Sequence, residues 1–436
     1  MLVFEKAIGI LGNVSVLFLF FSGAVLTVVL LANAIKGKGK KEEIYKDTEH
    51  VQITKRSPFG SLCLALAGTL GVGNISGVAA AISVGGAGAV FWMWVSALLC
   101  SALKYAEVFL AVRFLKRNPD GTYEGGAHLY IKNGLGLGTL ASVFCLLCVF
   151  SSYTVGNITQ VNAAAQSLRF SLGLNEYVCG AFCLLLILIF CRSGSAIYSF
   201  TLRLIPFLCL GYIVLSFAVI FKKWEMLGTA LGLIFDSAFT PRAGMGGVLG
   251  TLCGKAVKIG ITRGVLSNEA GCGTAPMAHA SAEARSPSAQ GILGVIEVLF
   301  DTLFLCSLTA LVILISETPL KSGLSTVNAI TAFSTVLGEW VAIPLSAAML
   351  LFAIASAVGW NYYGRVSLSY LGAGRGTVGI YCISYAVCAF FGAGFPEGVI
   401  WSLSDVSIYL MSLINTASVL LLARFLKKSE NGIDIR

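Results

Sequence analysis

Long apolar runs separated by short polar loops make up almost the whole chain. The runs are too long for half-buried strands and too continuous for surface helices, so they predict membrane-spanning helices of about 20 residues or more. Such helices are expected at about 10–34, 59–84, 90–114, 139–168, 176–192, 197–221, 246–284, 288–316, 340–364, 377–394 and 398–425. Two weaker stretches, 224–244 and 322–338, read as helices lying on the surface. No strand pattern and no soluble domain is expected. The run at 10–34 is too long for the core of a cleaved signal and reads as a retained first helix. Phe91-Trp-Met-Trp94 reads as an aromatic belt at a membrane interface.

Two of these runs are interrupted in the middle. The first break is Gly71-Val-Gly-Asn-Ile-Ser-Gly77 and the second is Ser267-Asn-Glu-Ala-Gly-Cys-Gly-Thr-Ala-Pro276. Gly271 and Gly273 permit backbone angles that a helix does not use, and Pro276 lacks a donor. Asn268 and Glu269 are costly in a bilayer unless they face protein, water or a ligand. Five helices from 59 to 221 and five from 246 to 425 form two halves of opposite starting side, and each opens with its broken helix. Paired, Gly-interrupted spans in corresponding places point to the binding site of a transporter built from inverted repeats. The expected organisation is an extra N-terminal helix with a basic loop (1–58), a first repeat (59–221), a connector (222–245), a second repeat (246–425) and a tail (426–436).

Composition sharpens this picture. Of 436 residues, 57% are hydrophobic and 12% charged, which excludes an ordinary soluble domain. The formal charge of +9 concerns topology rather than nucleic acid, because the basic residues lie in loops. Lys36 to Arg56, Arg113, Lys116, Arg117, Lys132, Arg192, Arg285, Arg365, Arg375, Arg424, Lys427 and Lys428 fall on one side, read as cytoplasmic. The N-terminus is then outside and the C-terminus inside the cell membrane. The 13 cysteines, including Cys145 and Cys148, read as small buried hydrophobes, and the three histidines share no metal-ligand spacing.

The charges inside the spans are few enough to take singly. Lys104 and Glu107 are three apart on one helix and can pair. Asp301 lies in mid-span and should face the bundle interior, where it can hydrogen-bond a broken helix or hold an ion. Lys255 and Lys258 precede the second break by roughly 18 and 13 Å and can reach an interface. Arg263 lies deeper and needs a partner, for which Glu269 is available. Amides at the start of a half-helix attract a carboxylate and unwound carbonyls attract a cation, so an amino acid zwitterion with a co-transported cation fits both breaks.

Residues 69–79 and 85–94, together with Arg263-Gly264, Ser267–Pro276 and Ala278-His-Ala280, resemble the signatures of the alanine or glycine:cation symporters. Lys104-Tyr-Ala-Glu107, Gly156–Asn162, Asp301-Thr302, Gly359-Trp360 and Tyr362-Tyr-Gly364 extend the resemblance in order from about 59 to 425. It implies a LeuT-type fold of about eleven spans, 5+5 inverted repeats plus one helix, and uptake of a small neutral amino acid with sodium, or with a proton. It implies no enzyme and no cofactor beyond the transported ion. By the same resemblance Thr69, Gly73, Asn74, Gln160 and Trp360 contact the substrate with their side chains or backbone, and Gly271, Cys272 and Gly273 with their backbone. Thr69, Leu70, Val72 and Ser356 would hold the cation. The chain departs from the family pattern at Ala87, Ala127, His128 and Arg365. It also has Ala355-Ser356 where a Ser-Thr pair is usual, one hydroxyl fewer for the ion. An exchanger of the same fold, a cation channel and a membrane-embedded enzyme are the competing readings. Nothing in the sequence supports a channel filter or a catalytic constellation.

Overall fold

A backbone in hydrocarbon must satisfy its own hydrogen bonds, and helices do so within one segment. The computed structural model follows this rule; it describes residues 2–36, 58–117, 123–190, 194–239, 254–281, 286–321 and 323–427. The N-terminal helix α1 is Leu2–Lys36, and the first broken span is α2 (Pro58–Thr69) and α3 (Ser76–Gly85). Next come α4 (Gly88–Arg113), the short α5 (Ala127–Leu129), and α6 (Gly138–Tyr153) running through a wide turn at Thr154–Ile158 into α7 (Thr159–Leu172). The first half closes with α8 (Glu176–Phe190), α9 (Gly194–Lys222) and the shorter α10 (Leu227–Ala238).

The second half begins with α11 (Lys255–Asn268) and α12 (Ala275–His279), the second broken element. Then α13 (Pro287–Val298) continues through Leu299–Cys306 into α14 (Ser307–Ile315). The remaining helices are α15 (Ser325–Leu337), α16 (Ala342–Tyr370), α17 (Arg375–Gly392) and α18 (Glu397–Leu421).

Among the described residues, eight helices are long and apolar enough to cross a membrane, and the bent α2–α3 pair makes a ninth. The expected eleven would also require α8, which has only 15 residues, and the polar pair α11–α12. Neither meets a length and hydropathy test for a span.

The bundle interior centres on α4, whose middle from Cys100 to Lys104 and from Ala106 to Val112 is buried. It packs against α11 and α13. Gly260 and Gly264 of α11 allow this approach, since a Cβ at either position would meet the backbone or side chains of α4 at once. The outer helices show the opposite pattern. Val178, Phe182, Leu185 and Ile189 of α8, and Ile380, Ile383, Val387 and Phe391 of α17, are exposed at spacings of three and four. These are single-sided apolar stripes suited to lipid.

Three local expectations are corrected. The segment 322–338 is not a surface helix, because α15 buries Ile330, Ala332, Phe333 and Val336 against its neighbours. Of 224–244, residues 240–244 lie outside the described residues; α10 buries only Ala230, Ile234 and Ala238, on the side where Trp92 Nε1 donates to Ala238 O at 3.2 Å, and leaves Leu231, Leu233 and Phe235 exposed. Phe91 meets Phe235 and Phe239 edge-on, so Phe91–Trp94 is packed into the protein rather than set out as a belt. Trp94 Nε1 likewise donates inward, to Ser307 Oγ at 2.7 Å. A two-residue antiparallel ladder, Lys116–Arg117 with Tyr123–Glu124, interrupts the expected strand-free loop.

Candidate substrate and ion site at two helix breaks

At the first break α2 ends at Thr69, a tight turn covers Val72–Asn74, and α3 leaves at 59° to α2. Gly71 is needed by close approach: a Cβ there would collide with the Gln160 amide and come within 3.0 Å of Ser356 Oγ. Gln160 Oε1 accepts from Val72 N at 2.9 Å, and its Nε2 donates to Val155 O at 3.1 Å. The side chain thus caps an amide that the break leaves without a helical acceptor. Ser356 Oγ donates to Gly68 O at 2.9 Å, which sets its oxygen beside the last turn of α2. Thr69 Oγ1 donates back to Ala65 O at 3.3 Å.

At the second break the backbone turns left-handed three times, at Glu269 (φ 54°), Gly271 (φ 90°) and Gly273 (φ 76°). The two glycines make this inexpensive; Glu269 does not. Asn268 folds its Oδ1 onto the amide of Ala270 at 2.9 Å, a local turn that helps to offset the cost. Glu269 Oε2 accepts from Thr274 Oγ1 at 2.5 Å.

Asp301 joins the two breaks. Its Oδ1 accepts from Asn74 Nδ2 at 2.6 Å and its Oδ2 from Ser267 Oγ at 2.6 Å. Thr302 Oγ1 donates to the same Oδ2 at 2.9 Å and accepts from Asn268 Nδ2 at 2.9 Å. One fully buried carboxylate therefore takes hydrogen bonds from both broken elements. Each bond to a charged group of this kind contributes about 1.5–3 kcal/mol.

The expected Lys104–Glu107 pair does not form. Lys104 Nζ lies 3.2 Å from Glu297 Oε1 and donates to Asn268 O at 2.8 Å. Glu297 Oε2 also meets His279 Nε2 at 2.8 Å, and His279 Nδ1 meets Gln290 Nε2 at 2.9 Å. Glu107 instead accepts from Asn415 Nδ2, and the amides of Gly271 and Gly273 face it. Tyr130 OH donates to Asn415 Oδ1, and Asn415 Nδ2 also reaches Gly271 O at 2.9 Å. A shared helix face did not decide the pairing, because better-placed partners arrive from α13 and α18.

Arg263 does not pair with Glu269 either. It forks onto Asp405 at 2.7 and 3.3 Å and stacks on Trp401 at 4.3 Å. Six residues along a helix turn a side chain through about 240°, so Arg263 and Glu269 point to different neighbours. Lys258 Nζ donates to Gly9 O at 2.9 Å.

Thr69, Gly73, Gln160, Glu269, Trp360 and Trp401 line one small enclosed cavity, roughly the size of a water molecule. It brings together four of the expected substrate residues. Asn74 is turned to Asp301 instead, Cys272 Sγ lies 3.6 Å from Ser412 Oγ, and Gly271 and Gly273 face Glu107 and Asn415. Sequence reading missed Glu297, His279 as a polar partner, Asn415, Tyr130, Trp401 and Asp405. The available signal was polar groups in apolar helices, which rarely occur in a membrane without a partner.

Apolar spans broken around a buried polar centre define a multi-pass membrane transporter. The chain belongs to the sodium:alanine symporter family, whose pattern it matches over residues 3–432. An uncharacterized transporter of Haemophilus influenzae is 36% identical over 84% of this chain and 80% of its own length. The sodium/alanine symporter AgcS of Methanococcus maripaludis is 33% identical over 84% of this chain and 82% of its own. The probable sodium/glutamine symporter GlnT of Bacillus subtilis is 33% identical over 84% of this chain and 76% of its own. Among solved structures, a nucleobase-cation-symport-1 family transporter, MHP1, matches 86% of this chain and 77% of its own at 12% identity and a TM-score of 0.43. The family is one of transporters and not of enzymes, in agreement with the sequence reading.

Proposed function

We propose that this protein imports a small neutral amino acid, alanine or glycine first, together with sodium, by alternating access. The observation that carries the reading is the meeting of Gln160, Thr69, Gly73 and Trp360 in one enclosed cavity at the first break. The bulk of Trp360 and Trp401 favours a small side chain, and each added methylene in such a pocket changes discrimination by about 1–3 kcal/mol. Carbonyls of Thr69, Leu70 and Val72 with the Ser356 hydroxyl are the proposed sodium ligands. The approach of Ser356 Oγ to Gly68 O at 2.9 Å supports that grouping of oxygens. The amino acid's carboxylate is assigned to the first break, since the amides of Gly271 and Gly273 already face Glu107.

The proposal extends to the architecture: halves 59–221 and 246–425 act as inverted repeats in the cell membrane, with the N-terminus outside. A broken element at the start of each half supports it. The test is labelled alanine uptake by Gln160→Ala. Uptake should fall at least tenfold at normal expression. Unchanged apparent affinity would remove Gln160 from the site.

A further inference from the structure

Glu269 is the residue of this cavity that the reading above leaves without a task. It is 1% exposed, lies on the cavity wall with Gln160 and Trp360, and is held in a left-handed backbone conformation that only glycine adopts cheaply. Thr274 binds Oε2. Among the described residues no basic side chain lies within ion-pair distance of it. Lys104 is close enough to be felt by Glu269, but its ammonium is bound to Glu297 and Asn268, and Arg263 is bound to Asp405. A second observation points the same way. The indole N–H of Trp360, fully buried on the same cavity, is turned toward the Glu269 carboxyl without closing a hydrogen bond of ordinary geometry. A buried carboxylate without a counter-ion is expensive, and the cost falls when a cation enters beside it.

We infer that Glu269 supplies the counter-charge for the ammonium group of the substrate, with Trp360 closing over it. This rests on the amino acid reading above and narrows it: the site demands a protonated amine and rejects the isosteric hydroxy acid. Binding requires the cavity to widen between Trp360 and Trp401, with Trp401 held on its far side by the Glu397 carboxylate and the Arg263 guanidinium. Thr274 keeps the carboxylate aimed inward.

The test is competition against labelled alanine at saturating sodium, using the purified full chain with alanine, alaninamide and lactate. Alaninamide keeps the ammonium and lacks the carboxylate; lactate keeps the carboxylate and replaces the ammonium by a hydroxyl. In the wild type, alaninamide should compete and lactate should not. Glu269→Gln, which preserves the Thr274 hydrogen bond, should weaken alanine by about tenfold or more while leaving lactate as poor as before or improving it. Lactate competing as well as alanine in the wild type overturns the inference, even if the variant does not fold. Wild-type alanine affinity in Glu269→Gln at saturating sodium overturns it as well, and a weakened sodium dependence there would give the carboxylate to the ion. Failure of the wild type to bind either alanine or glycine would overturn the substrate assignment on which the inference rests, not the role of Glu269.

Discussion

A missing side chain matters as much as a present one in this site. Gly156 lies in the wide turn between α6 and α7, and a Cβ there would run into the Trp360 side chain. Gly211 of α9 has nothing within 4 Å of the same position. Gly156→Ala should displace Trp360, destabilise the protein by about 1–3 kcal/mol and lower uptake. Gly211→Ala should be neutral, or stabilising by up to about 1 kcal/mol. Thermal unfolding in detergent separates the two, and equal effects would show that Trp360 does not depend on Gly156. At this scale the sequence was informative where glycine is the signal. Gly271 and Gly273 adopt the left-handed angles for which they were singled out. Glu269 adopts one too, but nothing in a lone Glu announces it; the angle is imposed by Asn268, Thr274 and the turn around it.

Between elements, buried polar side chains choose the partners. Asp301→Asn cannot accept equally from Asn74 and Ser267, because one oxygen becomes an amide donor. It should cost about 1–3 kcal/mol and abolish transport while the protein still reaches the membrane. Wild-type uptake by Asp301→Asn would show that the breaks hold their places without it. Lys104→Met should be worse for stability, by about 3–5 kcal/mol, because Glu297 loses its cation in a dry interior. The double change Lys104→Met with Glu297→Gln should recover part of that loss, and a double change no better than the single would deny the pairing. These contacts were not legible from spacing. The i,i+3 rule finds neighbours on one helix, yet Lys104 and Glu107 each turn to another helix instead. Which of several intramembrane polar groups meet depends on how α4, α13 and α18 pack, and one sequence carries no distance between them. What could be read was that each such group must have a partner, and Arg263 has two, Asp405 and Trp401.

For the whole molecule, period and length gave most of the architecture. Most long helices match their apolar runs within a few residues, because those runs end where loops supply glycine and charge; α1 starts well before the expected 10, at Leu2, and α16 runs past the expected 364 to Tyr370. The expectation failed at α15, whose polar residues are buried; α8 and α11 are the helices whose described residues are too short or too polar to count as spans by length and hydropathy. The proposed orientation rests on the distribution of basic residues between loops, and reporter fusions check it. A green fluorescent protein at the C-terminus should fluoresce in the cytoplasm, and alkaline phosphatase at the N-terminus should be active outside. The reverse pattern would invert the assigned orientation.

Gradient-driven uptake through the two breaks is what the proposed function requires of this protein. The direct measurement is uptake of labelled alanine and glycine into proteoliposomes holding the purified protein, under an imposed inward sodium gradient, a proton gradient or neither. Accumulation above equilibrium is expected with sodium, and only equilibration without a gradient. Accumulation driven by protons alone would contradict the sodium site at Ser356 and the first break, and no uptake of either amino acid under any gradient would contradict the assignment of substrate.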